Sequence, residues 1–506
     1  MSVIRTRDIL SRFLRCPLLC RDIVVVISIL VFLAPFITKR VDLGFDEGIY
    51  LEGGHRVAVR HQLPHRDFFS IAGPGVYLWQ AALQKMPWFG FWTKARSSLV
   101  IDALLISLSL YAIGRVIAPP ASALWSVLLF LGCFAGCANK LYVNHRWDSS
   151  ALIVTSCALV LTHKWYAAFI SGVLCALAVV FTQSTIVVFI VTLMMLLYYR
   201  HHSRTSPIAY ALGFFTLLLF SILLLWDHGV LTPWLKQMTY LGKYAYLNCV
   251  GPFNGLIPRG LGIRTWAVVL PSAIVLFAIS STVVLFRELS DSYRAAFGMA
   301  LGILVTILPR MSVDYLLFVS PMFFPLALSV GPRVLGRTWR LHVCALLLAI
   351  GAACLVALPL EAANGVWLRH RNGWIYMPAA ADAEVVMKLR QSVRHGDRLL
   401  VYPYLPILVT LTDAESVGFC LYFQPGLATK EQEEATAALI SEDPPTWIVK
   451  ADVPVGVYRA IWPGTVTSEF PIIEGAVRSG FEVVFRMRSG YTVYTLYRRR
   501  CQCPVP

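Results

Sequence analysis

Long apolar runs broken by short polar stretches dominate the first two thirds of the chain. They fall near 22–38, 97–117, 120–138, 150–163, 167–182, 185–199, 206–226, 266–286, 295–309, 315–330 and 340–360. A bilayer-crossing helix takes ~20 apolar residues, so the pattern predicts about eleven spans. After residue 360 the pattern changes. "AADAEVVMKLRQSV" and "TKEQEEATAALIS" read as amphipathic helices, the second opening with a Thr429…Gln432 capping box. "RLLVYPY", "TWIVKAD" and "FEVVFRMRSGYTVYTLYRR" read as strands, the last a hairpin turning at Ser489-Gly490. The expectation is a polytopic α-helical membrane region over 1–360 and a soluble α/β domain over 361–506.

Composition agrees with lipid as the main solvent. Of 506 residues 57% are hydrophobic and 14% charged, with a mean hydropathy of +0.66; a soluble globule carries about a quarter charged residues. The net charge of +16 does not come with any basic nucleic-acid module, so anionic lipid or lipid-linked phosphate is its expected counterpart. The 12 cysteines show no zinc spacing. The N-terminal "MSVIRTRDILSRFLRCPLLCR" is basic and runs into the first apolar segment, as an uncleaved signal anchor does.

Basic loops orient the spans. The N-terminal arginines, "YYRHHSR" and "GPRVLGRTWR" are taken as cytoplasmic. Alternation then puts 39–96, 139–149, 227–265, two short turns and everything after 360 outside. The outer loops are basic too, and an anionic ligand would explain it. The first of them holds an aromatic amphipathic stretch, "GPGVYLWQAALQKMPWFGFW", suited to lying at the interface with Trp79, Trp88 and Trp92 at head-group depth.

The same loop opens with "GFDEG". A carboxylate at that boundary, at Asp46 or Glu47, is placed to take a proton from a hydroxyl; the pair would equally suit the start of a helix. The second outer loop, "NKLYVNHRWDSS", brings Asp148 to the same face, with His145 and Arg146 beside it. Two acids there could share a proton or a divalent cation, and Asp148 could also cap its own helix. In "HRDFF", Arg66 and Asp67 could orient substrate or pair with each other; His55, His61 and His65 read as loop histidines rather than metal ligands. Lys236, Lys243, Arg259, Arg264 and Arg310 form a basic outer set, and Arg310 opens onto Asp314 and Tyr315; such residues clamp phosphate or snorkel. Asp102 lies inside a span, a functional candidate by position unless it pairs with Arg96 or Lys94. No P-loop, nucleophile elbow or HExxH occurs, which fits chemistry where nucleotide sugars are absent.

"FDEGIYLEGG", "HRDFFSIAGPGVYLW", "NHRWD" and "RMSVDYLLFVSP" together resemble the GT-C superfamily of polyprenyl-phosphate-sugar glycosyltransferases, which includes protein O-mannosyltransferases and aminoarabinose transferases. The resemblance implies an inner-membrane enzyme working on the periplasmic side. It would move a sugar from a polyprenyl-phosphate donor to a lipid, glycan or protein acceptor by a single inverting displacement. It also implies Asp46 as the catalytic residue, with Glu47 and Asp148 as further catalytic acids, and His65, Arg66, Asp67, His145, Arg146, Lys243, Arg310 and Tyr315 around the substrates. Aminoarabinose transferases carry Glu-Lys-Pro-Pro where this chain has "IAGPG". The absence of any N-x-[ST] acceptor disfavours a eukaryotic secretory lumen. Two rival readings are a transporter or flippase, and a non-catalytic membrane subunit.

Overall fold

The computed structural model describes residues 18–44, 46–70, 72–87, 89–137, 141–199, 205–240, 242, 263–308, 310–335, 337–371, 373–465 and 467–500. The first apolar run becomes α1 (Leu18–Lys39), and the polar, aromatic stretch behind it folds as α2 (Glu47–Arg60) and α3 (Pro74–Lys85). Then come α4 (Phe91–Ile117), α5 (Pro120–Gly136), α6 (His145–Val160), α7 (Trp165–Phe181), α8 (Ile186–Tyr198), α9 (Ser206–Asp227) and the short α10 (Leu231–Met238). The helical part ends with α11 (Ile263–Leu285), α12 (Asp291–Val305), α13 (Val313–Val319), α14 (Phe323–Val334) and α15 (Arg337–Asn364).

Among the described residues, five helical segments are long and apolar enough to cross a bilayer: 20–39, 91–117, 206–227, 269–288 and 315–334. Four shorter apolar ones cover 122–136, 165–181, 183–198 and 349–364. The chain is a multi-pass membrane protein. The runs at 150–163 and 295–309 lie in α6 and α12, which join neither group; α6 spends its first turns on His145, Arg146, Asp148, Ser149 and Ser150. Lipid gives helices little hydrophobic reason to associate, so close backbone packing counts. α7 and α9 meet in this way: a Cβ on Gly172 would stand 2.0 Å from the Tyr210 carbonyl oxygen, and one on Gly213 2.1 Å from that of Phe169.

Beyond α15 the chain forms β1 (Val366–His370), β2 (Gly373–Met377), α16 (Ala380–Ser392), β3 (Arg398–Tyr402), α17 (Ile407–Thr412) and β4 (Glu415–Ser416). α18 (Lys430–Glu442), β5 (Trp447–Asp452), α19 (Val455–Ile461), α20 (Pro471–Gly480), β6 (Phe481–Ser489) and β7 (Thr492–Arg499) complete it. The five-stranded sheet runs β4-β3-β5-β7-β6. β3 pairs in parallel with β4 and β5, and β7 antiparallel with β5 and β6. The reciprocal Thr429–Gln432 capping box opens α18 as its sequence indicated, and the hairpin turns through Gly490 at a φ of 56°.

The two parts are not joined by α15 alone. Ile49, Tyr50, Phe68 and Tyr77, from the stretch between α1 and α4, belong to the same buried cluster as Tyr402, Ile407, Leu408 and Val449. Polar fasteners surround that core. Arg40 pairs with Glu361 at 2.8 Å, both side chains buried. Val41 N–H donates to the Tyr376 carbonyl at 2.9 Å, and Phe69 N–H to that of Phe419 at 2.9 Å. Trp92 Nε1–H donates to His370 Nδ1 at 3.0 Å. The stretch expected to lie at the interface is partly internal to the protein. Val76, Tyr77, Gln80 and Leu83 of α3 are buried, Trp92 is only 4% exposed and Trp79 is half-buried; Trp88 lies outside the described residues.

Candidate active site

Asp46 stands at the N-cap of α2, but its side chain makes no bond to its own helix. Its two oxygens are taken by phenols from remote segments. Tyr142, in the loop between α5 and α6, donates to Oδ2 at 3.1 Å. Tyr404, between β3 and α17, donates to Oδ1 at 3.1 Å. Burial, and then the Asp46 charge, push the Tyr142 phenol well above its ordinary range, so it stays a donor. Tyr50, buried one turn into α2, is raised for the same two reasons.

Glu47 was expected to share the chemistry of Asp46, and it sits in a different environment. Its side chain is 2% exposed, lies 3.3 Å from the Arg96 guanidinium and accepts the Val143 N–H at 3.1 Å. Burial pushes this carboxyl up, while Arg96 and the Val143 bond pull it back down. Arg96 in turn donates to the Leu141 carbonyl. The ion pair therefore holds the backbone on both sides of Tyr142, the residue that reaches Asp46.

Asn144 caps α6, its Oδ1 accepting the Arg146 N–H at 2.9 Å, and its Nδ2 donates to the Tyr142 hydroxyl at 3.2 Å. The cap thus belongs to Asn144, not to Asp148. Arg146 lies 4.5 Å over the Tyr315 ring, and Arg310 lies 4.6 Å from the same ring. Asn144 therefore links Tyr142, and through it Asp46, to Arg146 and the ring that the two arginines share. Asp46, Tyr142, Tyr315 and two arginines are thereby one contiguous constellation. His145 stands beside it, its ring 5.7 Å from Tyr50 and its Nδ1 2.7 Å from Thr182 Oγ1.

The remaining candidates go elsewhere. Asp148 is buried, and its carboxyl abuts that of Asp102 rather than Asp46. Asp102 does not pair with Arg96, which Glu47 occupies, or with Lys94, which binds the Gln84 and Met86 carbonyls. Arg66 and Asp67 pair with each other at the surface, Nη2 to Oδ2 at 2.8 Å, which holds the Asp67 carboxyl low. His65 is buried against Gln237, Nδ1 to Oε1 at 2.7 Å, and burial lowers it to about 4. Lys243 lies outside the described residues, as does the side chain of Asp314. His55 packs on Phe91 and His61 ends α2 in the left-handed region. Among the described residues no three His, Cys, Asp or Glu gather as ligands. Asp46 carries one phenol on each oxygen, and Asp148 lies with Asp102 rather than with Asp46, so the two acids expected to share one ion are held apart.

A cavity of about 820 Å³ opens between the loop that joins α2 and α3, α10 and α18, lined by His65, Phe69, Lys236, Tyr240, Phe419 and Gln432 among others. Aromatic rings connect its wall to the acid. Phe69 meets Tyr422 at 6.0 Å, Tyr422 meets Tyr404 at 5.3 Å, and Tyr404 meets Asp46.

Comparison of the sequence with family models and with curated proteins finds no match. Solved structures do match. ArnT from Cupriavidus metallidurans, bound to undecaprenyl phosphate, superposes with a TM-score of 0.58 at 13% identity, over 94% of this chain and 97% of that one. The archaeal oligosaccharyltransferase AglB from Archaeoglobus fulgidus, in complex with an inhibitory peptide and a dolichol-phosphate, gives 0.50 at 11% identity, over 95% and 75%. The likeness is one of fold, and it is the fold that the resemblance to GT-C transferases implied.

Proposed function

We propose that this protein is a membrane glycosyltransferase that takes a sugar from a polyprenyl-phosphate donor and places it on an extracytoplasmic acceptor. The observation that carries the reading is the constellation itself: one carboxylate, held by two neutral phenols, beside two guanidinium groups gathered on one ring. The neighbours of like fold were solved with polyprenyl phosphates, and an acid next to paired arginines suits that donor class.

In this mechanism Asp46 takes the proton of the acceptor hydroxyl. The acceptor oxygen forms its bond to the anomeric carbon as the bond from that carbon to the phosphate oxygen breaks, inverting the centre. Polyprenyl phosphate leaves with the electron pair, and Arg146 and Arg310 meet the charge that grows on it. Lys243 is a further cation for this role. The acceptor, whether lipid, glycan or protein, would approach from the cavity beside Phe69. The membrane part, 1–360, would hold the donor, with the region after 360 and the outer loops on the periplasmic side of an inner membrane.

The test is cleavage of polyprenyl-phosphate sugars by the purified protein in liposomes. Undecaprenyl-phosphate mannose, glucose and aminoarabinose, each radiolabelled, are offered with membrane extract as acceptor source. Wild type should release undecaprenyl phosphate from one of them, and Asp46→Asn should be slower by about 100-fold or more. Equal rates for the two proteins would remove Asp46 as the base.

One observation favours a second reading. The buried Asp102–Asp148 contact lies between helices, where ion-coupled transporters keep acids. For a transporter, Asp102→Asn would stop movement of lipid between leaflets while no donor is cleaved by any variant.

A further inference from the structure

We propose that Tyr404, carried by the C-terminal α/β region, is a positioning residue for Asp46, so that this region is a working part of the site rather than a cover over it. The proposal rests on the reading of Asp46 as the base.

An aspartate at a helix start normally has its rotamer set by capping its own helix. Asp46 makes no such bond. What fixes it instead is a phenol on each oxygen, from positions 96 and 358 residues away in the chain. One donor per oxygen leaves further lone pairs free, so the carboxylate can be held and still accept a proton. A base must sit within hydrogen-bond reach of the proton it removes, and a free carboxyl rotor would spend much of its time elsewhere.

Tyr404 is itself rigidly aimed. It is 3% exposed, with Tyr422 at 5.3 Å and Trp462 at 5.4 Å from its ring. Trp462 stacks on Tyr458 at 5.6 Å, with 13° between the planes. The whole wall belongs to the C-terminal region, and the edge that carries it is fastened to α2. Arg56 Nε donates to Ser416 Oγ at 2.9 Å and Nη1 to the Gly418 carbonyl at 2.8 Å. Ser416 Oγ donates to Glu52. The helix that Asp46 begins and the loop that carries Tyr404 are therefore registered against each other by contacts flanking the pair.

The test is a double-mutant cycle on the same donor assay, with Tyr404→Phe, Tyr404→Ala, Asp46→Asn and Asp46→Asn/Tyr404→Phe. Phe keeps the ring and its packing and removes only the hydroxyl. Loss of one hydrogen bond to a charged group corresponds to about 10- to 100-fold. Tyr404→Phe should lose that much in kcat at little change in donor KM, with an unchanged apparent melting temperature in detergent. The double variant should be no slower than Asp46→Asn alone, because the hydroxyl acts through Asp46. A Tyr404→Phe enzyme of wild-type kcat, with Asp46→Asn inactive, would overturn the positioning role and leave the base intact. A rate loss found only in Tyr404→Ala, with a lowered melting temperature, would reduce Tyr404 to a packing residue and overturn it too. If Asp46→Asn keeps full turnover, the base reading falls, and this one with it.

Discussion

Glu47 and Arg96 face each other at 3.3 Å with side chains 2% and 0% exposed, and between them they fix the backbone at Leu141 and Val143. The residue between is Tyr142, which donates to Asp46. A buried pair of this kind adds little net stability when intact, but removing one partner strands the other charge and costs about 3–5 kcal/mol. Glu47→Ala should therefore lower the apparent melting temperature and the yield of folded protein in detergent. Glu47→Gln keeps an acceptor for the Val143 N–H and should be less destabilised than Glu47→Ala. Donor turnover should fall in both, since Tyr142 is no longer held. Undiminished stability and rate in Glu47→Ala would show that the loops are registered by other contacts.

Gly48 lies one residue further on, against the C-terminal region. A Cβ there would stand 2.0 Å from the Ile407 backbone nitrogen, a distance no side-chain rotation relieves. Gly48→Ala must displace α2 or α17, and overpacking of this sort costs about 1–3 kcal/mol or more. Because Tyr404 is three residues before Ile407, its hydroxyl moves with that edge. Expected are a drop in turnover of at least about 10-fold, the value of one lost bond to a charged group, and faster cleavage by added protease after residue 364. Wild-type kinetics in Gly48→Ala would mean that the α2–α17 contact has slack.

Arg146 and Arg310 share the Tyr315 ring. Guanidinium groups stack on aromatic faces and present a planar fork to phosphate, which an ammonium does not. Arg310→Gln should reduce turnover by about 100-fold, as removal of one preorganised donor to developing charge does. Arg310→Lys should recover little of it. Undecaprenyl phosphate should inhibit wild type competitively and both variants more weakly. Equal inhibition of all three would place the phosphate elsewhere.

The sequence was most informative where pattern and local chemistry coincide. The apolar runs, the capping box at Thr429, the hairpin at Gly490 and the strands β3, β5, β6 and β7 can be read from neighbours in the chain, whereas β1, β2 and β4 were not read. Asp46, Arg146, Arg310 and Tyr315 were legible as candidates because charge beside a span is costly enough to stand out. Tyr404 was not, since nothing in "YPYLP" distinguishes a tyrosine that will cross 358 positions to a carboxylate. Tyr142 sat within a stretch already singled out for its charged residues, and an aromatic hydroxyl next to those charges was the available signal. Asp148 and Glu47 were legible as acids but not as to partner: which carboxylate meets Arg96, and which meets Asp102, depends on the rotation of packed helices. For the aromatic stretch before α4, period alone does not distinguish an apolar face that meets lipid from one that meets protein.

Two histidines tie the seam between the membrane part and its surroundings, and both are held neutral. His65 bonds Gln237 of α10 and His370 of β1 accepts from Trp92, and burial lowers each to about 4. In the unfolded chain a histidine titrates at about 6.5. Between those values the unfolded state binds the proton more strongly, so stability falls as pH drops from about 6.5 toward 4 and is fully present above that window. Each residue accounts for roughly 3 kcal/mol at most over the interval. The apparent melting temperature should thus decline from pH 7 to pH 4.5, and the decline should be shallower in His65→Gln. Donor binding gives a second readout, since neither side chain touches Asp46: at pH 7 His65→Gln should hold undecaprenyl phosphate as wild type does. A slope unchanged by His65→Gln would assign the acid sensitivity to the carboxylates instead.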